Sequence, residues 1–386
     1  MPQGNYSHWF QYFPNNHMWS HGVMHAIEMA LYGAAAMGEI DQIGQRLKDR
    51  VGNNEAWFEE WTAMGAKMER RAEEAAAANH QLTAGTCYLH AATYYNYGER
   101  YLQPGEKKLA TYRRHLHCFR EGVKRRYPNM ERVIVPYEGT TLPAWFMKAP
   151  GATGRAPTVV LFNGLDGSKE VTIFHGGVEL AARGIHTLAV DGPGQGEALR
   201  LQNIVSRFDF DVAGTAAYEY AITRSEVDPK RVAVMGSSMG GYYAPRCAAL
   251  EPRFAACIAW GGHFDYHASW IRRRKELESG GTRVSAPHFQ LMWVLGVPDM
   301  DAAMEKLKKY SLAGIAGNIT CPFLVTHGEN DTIVPLEYAK LLYDAVKSRN
   351  KTLKIFTTDE GGSEHVQGDN RALGANFVAD WVADNL

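Results

Sequence analysis

From Glu131 onward, short apolar runs alternate with helix-like segments. Arg132 to Tyr137 and Leu142 to Met147 flank Glu138-Gly139-Thr140-Thr141, which predicts a β-hairpin. Thr158 to Phe162, His186 to Val190, Arg231 to Met235, Cys321 to Thr326 and Leu353 to Phe356 have the length and apolar content of buried strands. Helix-like stretches lie between and after them: Val171 to Arg183, Val212 to Arg224, Gly241 to Leu250, a segment from about Leu336, and about Arg371 to Asn385. This alternation predicts an α/β fold, with a mainly parallel sheet covered by helices on both faces. Ligands of such sheets bind at the carboxyl ends of the strands.

Residues 1 to about 127 have a different pattern. His21 to Ala36, Glu55 to Asn79, Thr83 to Tyr101 and Lys107 to Tyr127 are periodic in the helical sense, and Asn53-Asn54 and Pro104-Gly105 punctuate them. Four or five helices are expected. The region from about His263 to Gly317 interrupts the α/β alternation. It holds Arg272-Arg273-Arg274-Lys275, then Met292-Trp293, and a charged run ending at Lys309. The expected organisation is a helical cap over residues 1–127 and a catalytic domain over 128–386, with a lid insertion at about 263–317. Cap and lid are expected to cover the catalytic centre together.

That centre is announced by Gly236-Ser237-Ser238-Met239-Gly240. The pentapeptide follows an apolar run and precedes a helix-like one, so Ser238 sits at the apex of a strand–turn–helix corner with its hydroxyl exposed. A serine hydroxyl is a poor nucleophile near neutral pH and needs a base. Two partners occur in the required order, acid before histidine. Asp331 follows the run Cys321 to Thr326, and His365 lies in the loop between the last strand and the last helix. His365 would take the proton, and Asp331 would orient the imidazole. His327 competes as base but precedes the acid, and Glu329 competes with Asp331.

The tetrahedral intermediate also needs amide donors for its oxyanion. One is expected from Met239, the residue after the nucleophile. The other is expected from Asn163-Gly164-Leu165-Asp166-Gly167, which follows an early strand, with Leu165 as first choice and Gly164 as second. The loop Asp191-Gly192-Pro193-Gly194-Gln195-Gly196 lacks the glycine spacing of a dinucleotide site.

His8, Trp9, Phe10, Tyr12, Phe13, His17, Trp19, His21 and His25 crowd the N-terminal stretch. They form either a packed arm or an aromatic wall of a substrate pocket. A metal at His21 and His25 would lack a carboxylate or cysteine to complete it. Trp19, His21, Tyr94, His263 and Trp293 are the candidate substrate-binding residues. For Tyr94, Tyr95 and Tyr97 core packing is the preferred reading.

Composition agrees with a soluble enzyme. Lys and Arg number 41 and Asp and Glu 42, a net charge of −1, which gives no electrostatic case for nucleic acid or an anionic membrane. The five cysteines, Cys87, Cys118, Cys247, Cys257 and Cys321, are odd in number and lack a C-x-x-C pair. They read as thiols of a reducing, cytoplasmic compartment. No signal-peptide core or membrane-length apolar run is visible.

The chain resembles the α/β-hydrolases with an N-terminal helical cap. These include 2,6-dihydroxypseudooxynicotine hydrolase and the fungal pigment-shortening hydrolases; FrsA-type esterases are more distant. The resemblance rests on Asn163 to Glu170, Asp191 to Gly196, Gly236 to Gly241, Glu251-Pro252-Arg253-Phe254-Ala255-Ala256-Cys257 and Trp260-Gly261-Gly262. It implies a serine hydrolase with Ser238, Asp331 and His365 as its triad and no cofactor. Such enzymes often cleave a carbon–carbon bond next to a ketone, here in an aromatic or polyketide-like substrate, and are often homodimers. Carboxylester hydrolysis and acyl transfer are the alternatives on the same fold. The lid shows no match for a further acid–base residue.

Overall fold

A computed structural model describes residues 10–165, 167–278 and 285–386. His8, Trp9 and Asp166 therefore lie outside the described residues, as do residues 279–284 of the expected lid. The chain divides into two compact units. One is Met1–Met130 with Thr282–Phe289, and the other is Glu131–Gly281 with Gln290–Leu386.

The first unit is helical. Helix α1 (His17–Glu28) starts where the Asn16 side chain accepts from the Trp19 amide at 3.0 Å. It passes into a 3₁₀ turn, Met29–Tyr32, and stops at Gly33, whose φ of +66° is left-handed. The single helix expected over His21 to Ala36 is thus cut short, and a further helix, α2 (Met37–Leu47), follows. Helices α3 (Asn54–Ala77), α4 (Gln81–Glu99) and α5 (Glu106–Arg126) complete the set. Their core is aromatic: Trp57, Trp61, Tyr94, Tyr95 and Tyr112 are fully buried. Lys108, with no exposed surface, pairs with Glu99 and donates to the Glu99 carbonyl.

The second unit is built on one eight-stranded sheet. Strands β1 (Met130–Tyr137) and β2 (Thr140–Met147) are joined by Glu138 and Gly139, both at positive φ, as a two-residue hairpin turn requires. Then come β3 (Ala156–Phe162), α6 (Lys169–Thr172), a π-turn (Ile173–Gly177), α7 (Val178–Ala182) and β4 (His186–Val190). They lead to α8 (Gly196–Gln202), α9 (Asp211–Thr223), β5 (Val227–Ser237), α10 (Gly240–Leu250) and β6 (Cys257–Trp260). Helices α11 (Tyr266–Glu278), α12 (His288–Leu295) and α13 (Met300–Leu307) interrupt the alternation. It resumes with β7 (Phe323–Gly328), α14 (Leu336–Ala345), β8 (Lys351–Phe356), a 3₁₀ turn (His365–Asn370) and α15 (Arg371–Asn385).

The strand order is β1-β2-β4-β3-β5-β6-β7-β8. Strand β2 runs antiparallel to β4, and every pairing from β4 through β8 is parallel. Residues of β4, β6 and β7 are buried throughout, as strands covered on both faces must be. The interruption is an insertion whose two ends are tied together. Asp265 bridges Ser311, the Tyr266 amide donates to Tyr310 O, and the Leu312 amide donates to Phe264 O. Of the described residues of the expected lid, 285–289 group with the helical unit and the others with the sheet.

Candidate active site

The corner between β5 and α10 needs both of its glycines. A Cβ at Gly236 would stand 2.1 Å from the Gly240 carbonyl oxygen, and one at Gly240 would stand 3.0 Å from the carbonyl oxygens of Phe162 and Asn163. Ser238 between them has φ +59°, a left-handed conformation costing a side-chain-bearing residue about 1–2 kcal/mol. Two backbone bonds hold it there: Ser238 N–H to Trp260 O (2.8 Å) and Gly241 N–H to Ser238 O (2.7 Å).

Three segments of the chain meet at this apex. His365 Nε2 lies 2.8 Å from Ser238 Oγ, and its Nδ1 lies 2.7 Å from Asp331 Oδ2. The carboxylate only accepts, so Nδ1 carries the proton and the Nε2 lone pair faces the serine hydroxyl. Asp331 follows β7. Its Oδ1 accepts from the amides of Ile333 (2.9 Å) and Val334 (2.8 Å). Burial favours the protonated acid, but His365, His327 and the Val334 amide outweigh it and hold the carboxyl at about 2.

The two rivals are otherwise engaged. His327 donates from Nε2 to the Val334 carbonyl at 2.8 Å, and burial lowers its pKa, so it is a neutral brace for the Asp331 loop. Glu329 accepts from the Thr358 amide and hydroxyl at the surface. Beyond His365, Val366 and Gln367 are held at φ +46° and +55°. Gln367 Oε1 accepts from Trp260 Nε1 (2.6 Å), and Arg371 Nη1 donates to Val366 O (2.5 Å). These bonds offset the backbone strain and fix the turn from which the imidazole projects.

The loop after β3 passes directly beside Ser238. A Cβ on Gly164 would lie 2.9 Å from Ser238 Cβ and 3.3 Å from its Oγ. The Gly164 amide donates to its neighbour Asn163 Oδ1 at 2.6 Å, so the second-choice oxyanion donor is already engaged by a side chain. Neither Leu165 nor Met239 donates its amide to another described residue. Asn163 Nδ2 reaches Thr172 Oγ1 at 2.6 Å, and Gln195 Nε2 donates to Asn163 O at 2.5 Å.

Behind this loop is a buried ionic cluster that sequence reasoning did not find. Lys169 Nζ lies 2.9 Å from each of Glu170 Oε1, Asp191 Oδ2 and Glu197 Oε2. Asp191 also accepts from the amides of Lys169 and Glu197. Three carboxylates share the Lys169 ammonium here, and Glu197 Oε1 also accepts from Arg132 Nη2 at 2.8 Å. Burial, together with the charge of Glu170, raises Asp191 to about 6, while Lys169 is held protonated well above its usual range by the acids that outweigh its own burial. The signal for Gln195 and this cluster was present: charged and amide side chains among glycines, at the carboxyl ends of β3 and β4.

The substrate-binding candidates fall into two sets. Trp19 and Tyr94 are wholly buried in the helical unit. Trp19 packs on Phe13 and Trp57, and Tyr94 donates to Glu39 Oε2 at 2.6 Å. His21 stacks edge-on against His25, with ring centres 4.2 Å apart. Tyr95, likewise, donates to Glu69 Oε2 at 2.7 Å. In the sheet unit, His263 is buried beyond β6, 4.9 Å ring to ring from Tyr266. Burial first, then the neighbouring His365, push its pKa down to about 3, so it is a neutral imidazole. The Trp293 ring lies under the Arg200 guanidinium at 5.2 Å.

A parallel sheet with a serine at a strand–helix corner, hydrogen-bonded to a histidine on a later loop, defines an α/β-hydrolase. Residues 180–386, more than half of the chain, match the prolyl oligopeptidase family, and the chain belongs to that family. It is 27% identical over 330 residues to 2,6-dihydropseudooxynicotine hydrolase of Paenarthrobacter nicotinovorans, covering 86% of this chain and 84% of the relative. It is also 27% identical to the 20-hydroxy-prefusarin hydrolase of Gibberella moniliformis over 373 residues, 86% of this chain and 87% of that one. The crystal structure of 2,6-dihydroxy-pseudo-oxynicotine hydrolase superposes with a TM-score of 0.78 at 23% identity, covering 93% of this chain and 95% of the other. This chain is accordingly a hydrolase. Among the described residues, no helix is long and apolar enough to cross a membrane.

Proposed function

We propose that this enzyme is a serine hydrolase working through an acyl-enzyme, and that it cleaves a carbon–carbon bond next to a ketone in an aromatic or polyketide-like substrate. The observation that carries the reading is the hydrogen-bonded chain from Asp331 through His365 to Ser238, with the serine at the apex of a strained turn. Ser238 Oγ attacks the ketone carbon as its proton passes to His365 Nε2. The resulting oxyanion is held by the amides of Leu165 and Met239. Collapse breaks the bond to the neighbouring carbon, whose electron pair is stabilised as an enolate and takes the proton from His365. Water, deprotonated by His365, then releases the acyl group from Ser238 as a carboxylic acid. Asp331 stays ionised throughout and stabilises the imidazolium.

The carbon–carbon assignment is supported by the resemblance in the core, and the two curated relatives are both named hydrolases. Ester cleavage would use the same acyl-enzyme with an alkoxide leaving group. The five unpaired cysteines fit a reducing, cytoplasmic setting. The resemblance further implies a homodimer, which light scattering would register as about twice the chain mass of 43.0 kDa.

A fluorophosphonate probe and a panel of aryl esters and aryl 1,3-diketones test this. Labelling at Ser238 and diketone turnover are expected, both lost in Ser238→Ala with the fold intact. Turnover surviving Ser238→Ala would remove the triad; esters turned over without diketones would remove the carbon–carbon assignment.

A further inference from the structure

Gln195 sits in the loop after β4 and is buried, with 1% of its surface exposed. Its Oε1 accepts from the Gly192 amide at 3.0 Å, which fixes the side-chain amide so that its NH₂ faces the other way. That NH₂ donates to two successive carbonyls of the loop beside Ser238, Asn163 O at 2.5 Å and Gly164 O at 3.4 Å. A trans peptide is planar, with its C=O and N–H antiparallel. Holding the Gly164 carbonyl therefore turns the Leu165 N–H to the side away from Gln195. Holding the Asn163 carbonyl does the same for the Gly164 N–H, and that group is seen donating to Asn163 Oδ1. The same stretch of backbone passes Ser238 so closely that a Gly164 Cβ would stand 3.3 Å from Oγ.

We propose that Gln195 is the positioning residue of the oxyanion site. It grips the carbonyl side of the Asn163–Gly164–Leu165 peptides so that the Leu165 amide is presented to the intermediate formed on Ser238. The inference rests on the triad reading above. A glycine-rich loop needs such a clamp, because its own backbone has many conformations to choose from. A preorganised donor stabilises the intermediate without reorganising during the reaction. Gln195 acts through the carbonyls of Asn163 and Gly164, so its removal is expected to change the rate of the chemical step more than ground-state binding.

The test compares wild type, Gln195→Glu, Gln195→Met and Ser238→Ala on one activated aryl ester, with melting temperatures measured in parallel. Gln195→Glu keeps the acceptor for Gly192 and loses the donor; Gln195→Met conserves volume and loses both. A fall in kcat of about tenfold to a hundredfold is expected with KM within about twofold, since a lost oxyanion donor costs ~10²–10³ and a loosened one less. The inhibition constant of an aryl trifluoromethyl ketone, which adds Ser238 as a hemiketal oxyanion, should rise in parallel with the loss in kcat. Should Gln195→Glu melt below the assay temperature, Gln195→Met carries the same comparison. Unchanged kcat, or a rise in KM with kcat intact, overturns the positioning role while Ser238→Ala remains dead. Turnover by Ser238→Ala overturns the triad instead.

Discussion

Replacing Gly164 by alanine adds one methyl group at the point where the β3 loop passes Ser238. The backbone there lies outside the left-handed region, so the substitution brings no conformational strain of its own. What it meets is Ser238 Cβ at 2.9 Å, Ser238 Oγ at 3.3 Å and Ser237 O at 3.3 Å. Carbon atoms settle at ~3.5–4.0 Å, so loop and corner must separate by about 0.6 Å or more. Overpacking of this kind costs about 1–3 kcal/mol of stability. A misplacement approaching 1 Å at a reacting group costs on the order of 10² in rate. The expected result for Gly164→Ala is therefore a folded protein, destabilised by a small amount, with kcat reduced about a hundredfold. Steady-state kinetics on an aryl ester, beside a urea unfolding curve, measures both. If kcat stays within twofold of wild type, the close approach of this loop to Ser238 has no part in catalysis and the oxyanion assignment to it falls.

Lys169→Met removes the ammonium that Glu170, Asp191 and Glu197 share while keeping the apolar stem, and should cost about 3–5 kcal/mol in urea unfolding, against under ~1 kcal/mol if the cluster were solvated. Asp191, raised from 3.8 to about 6 by burial and Glu170, takes up a proton on folding between those pH values. Its favourable contribution is complete below pH 3.8 and is lost as pH rises through 6. Wild type should accordingly lose stability relative to Asp191→Asn between pH 4 and 7, and a pH-independent difference between the two would show that Asp191 does not titrate there.

The parts of this fold legible in the sequence are those fixed by local chemistry. Gly236 and Gly240 must be glycines because carbonyl oxygens occupy the space of their side chains, and the order Ser238, Asp331, His365 follows from the strands that deliver them. The parts that were not legible depend on tertiary fit. The helix expected over Val171 to Arg183 is broken by a π-turn at Ile173–Gly177, where Gly176 and Gly177 bring it against Met235 and Thr187 of the sheet. Strand β5 begins at Val227, four residues before its apolar run, because a register shift against β3 accommodates the polar stretch around Pro229. Trp19 and Tyr94 showed only that they are aromatic; whether an aromatic lines a pocket or fills a core depends on neighbours such as Trp57 and Glu39, which periodicity does not reveal. Gln195 acts through the backbone of a loop 32 residues earlier, a relation with no signature in spacing.

Ser238 and the imidazole that faces it are separated by 127 residues of chain. Ribosomes build at about 5–20 residues per second, so the corner of β5 and α10 emerges about 6–25 s before its base does. During that interval a nascent chain can present the serine at its apex with nothing to deprotonate it. A hydroxyl activated through this pair becomes reactive only once the segment carrying His365 has been made and has joined the sheet.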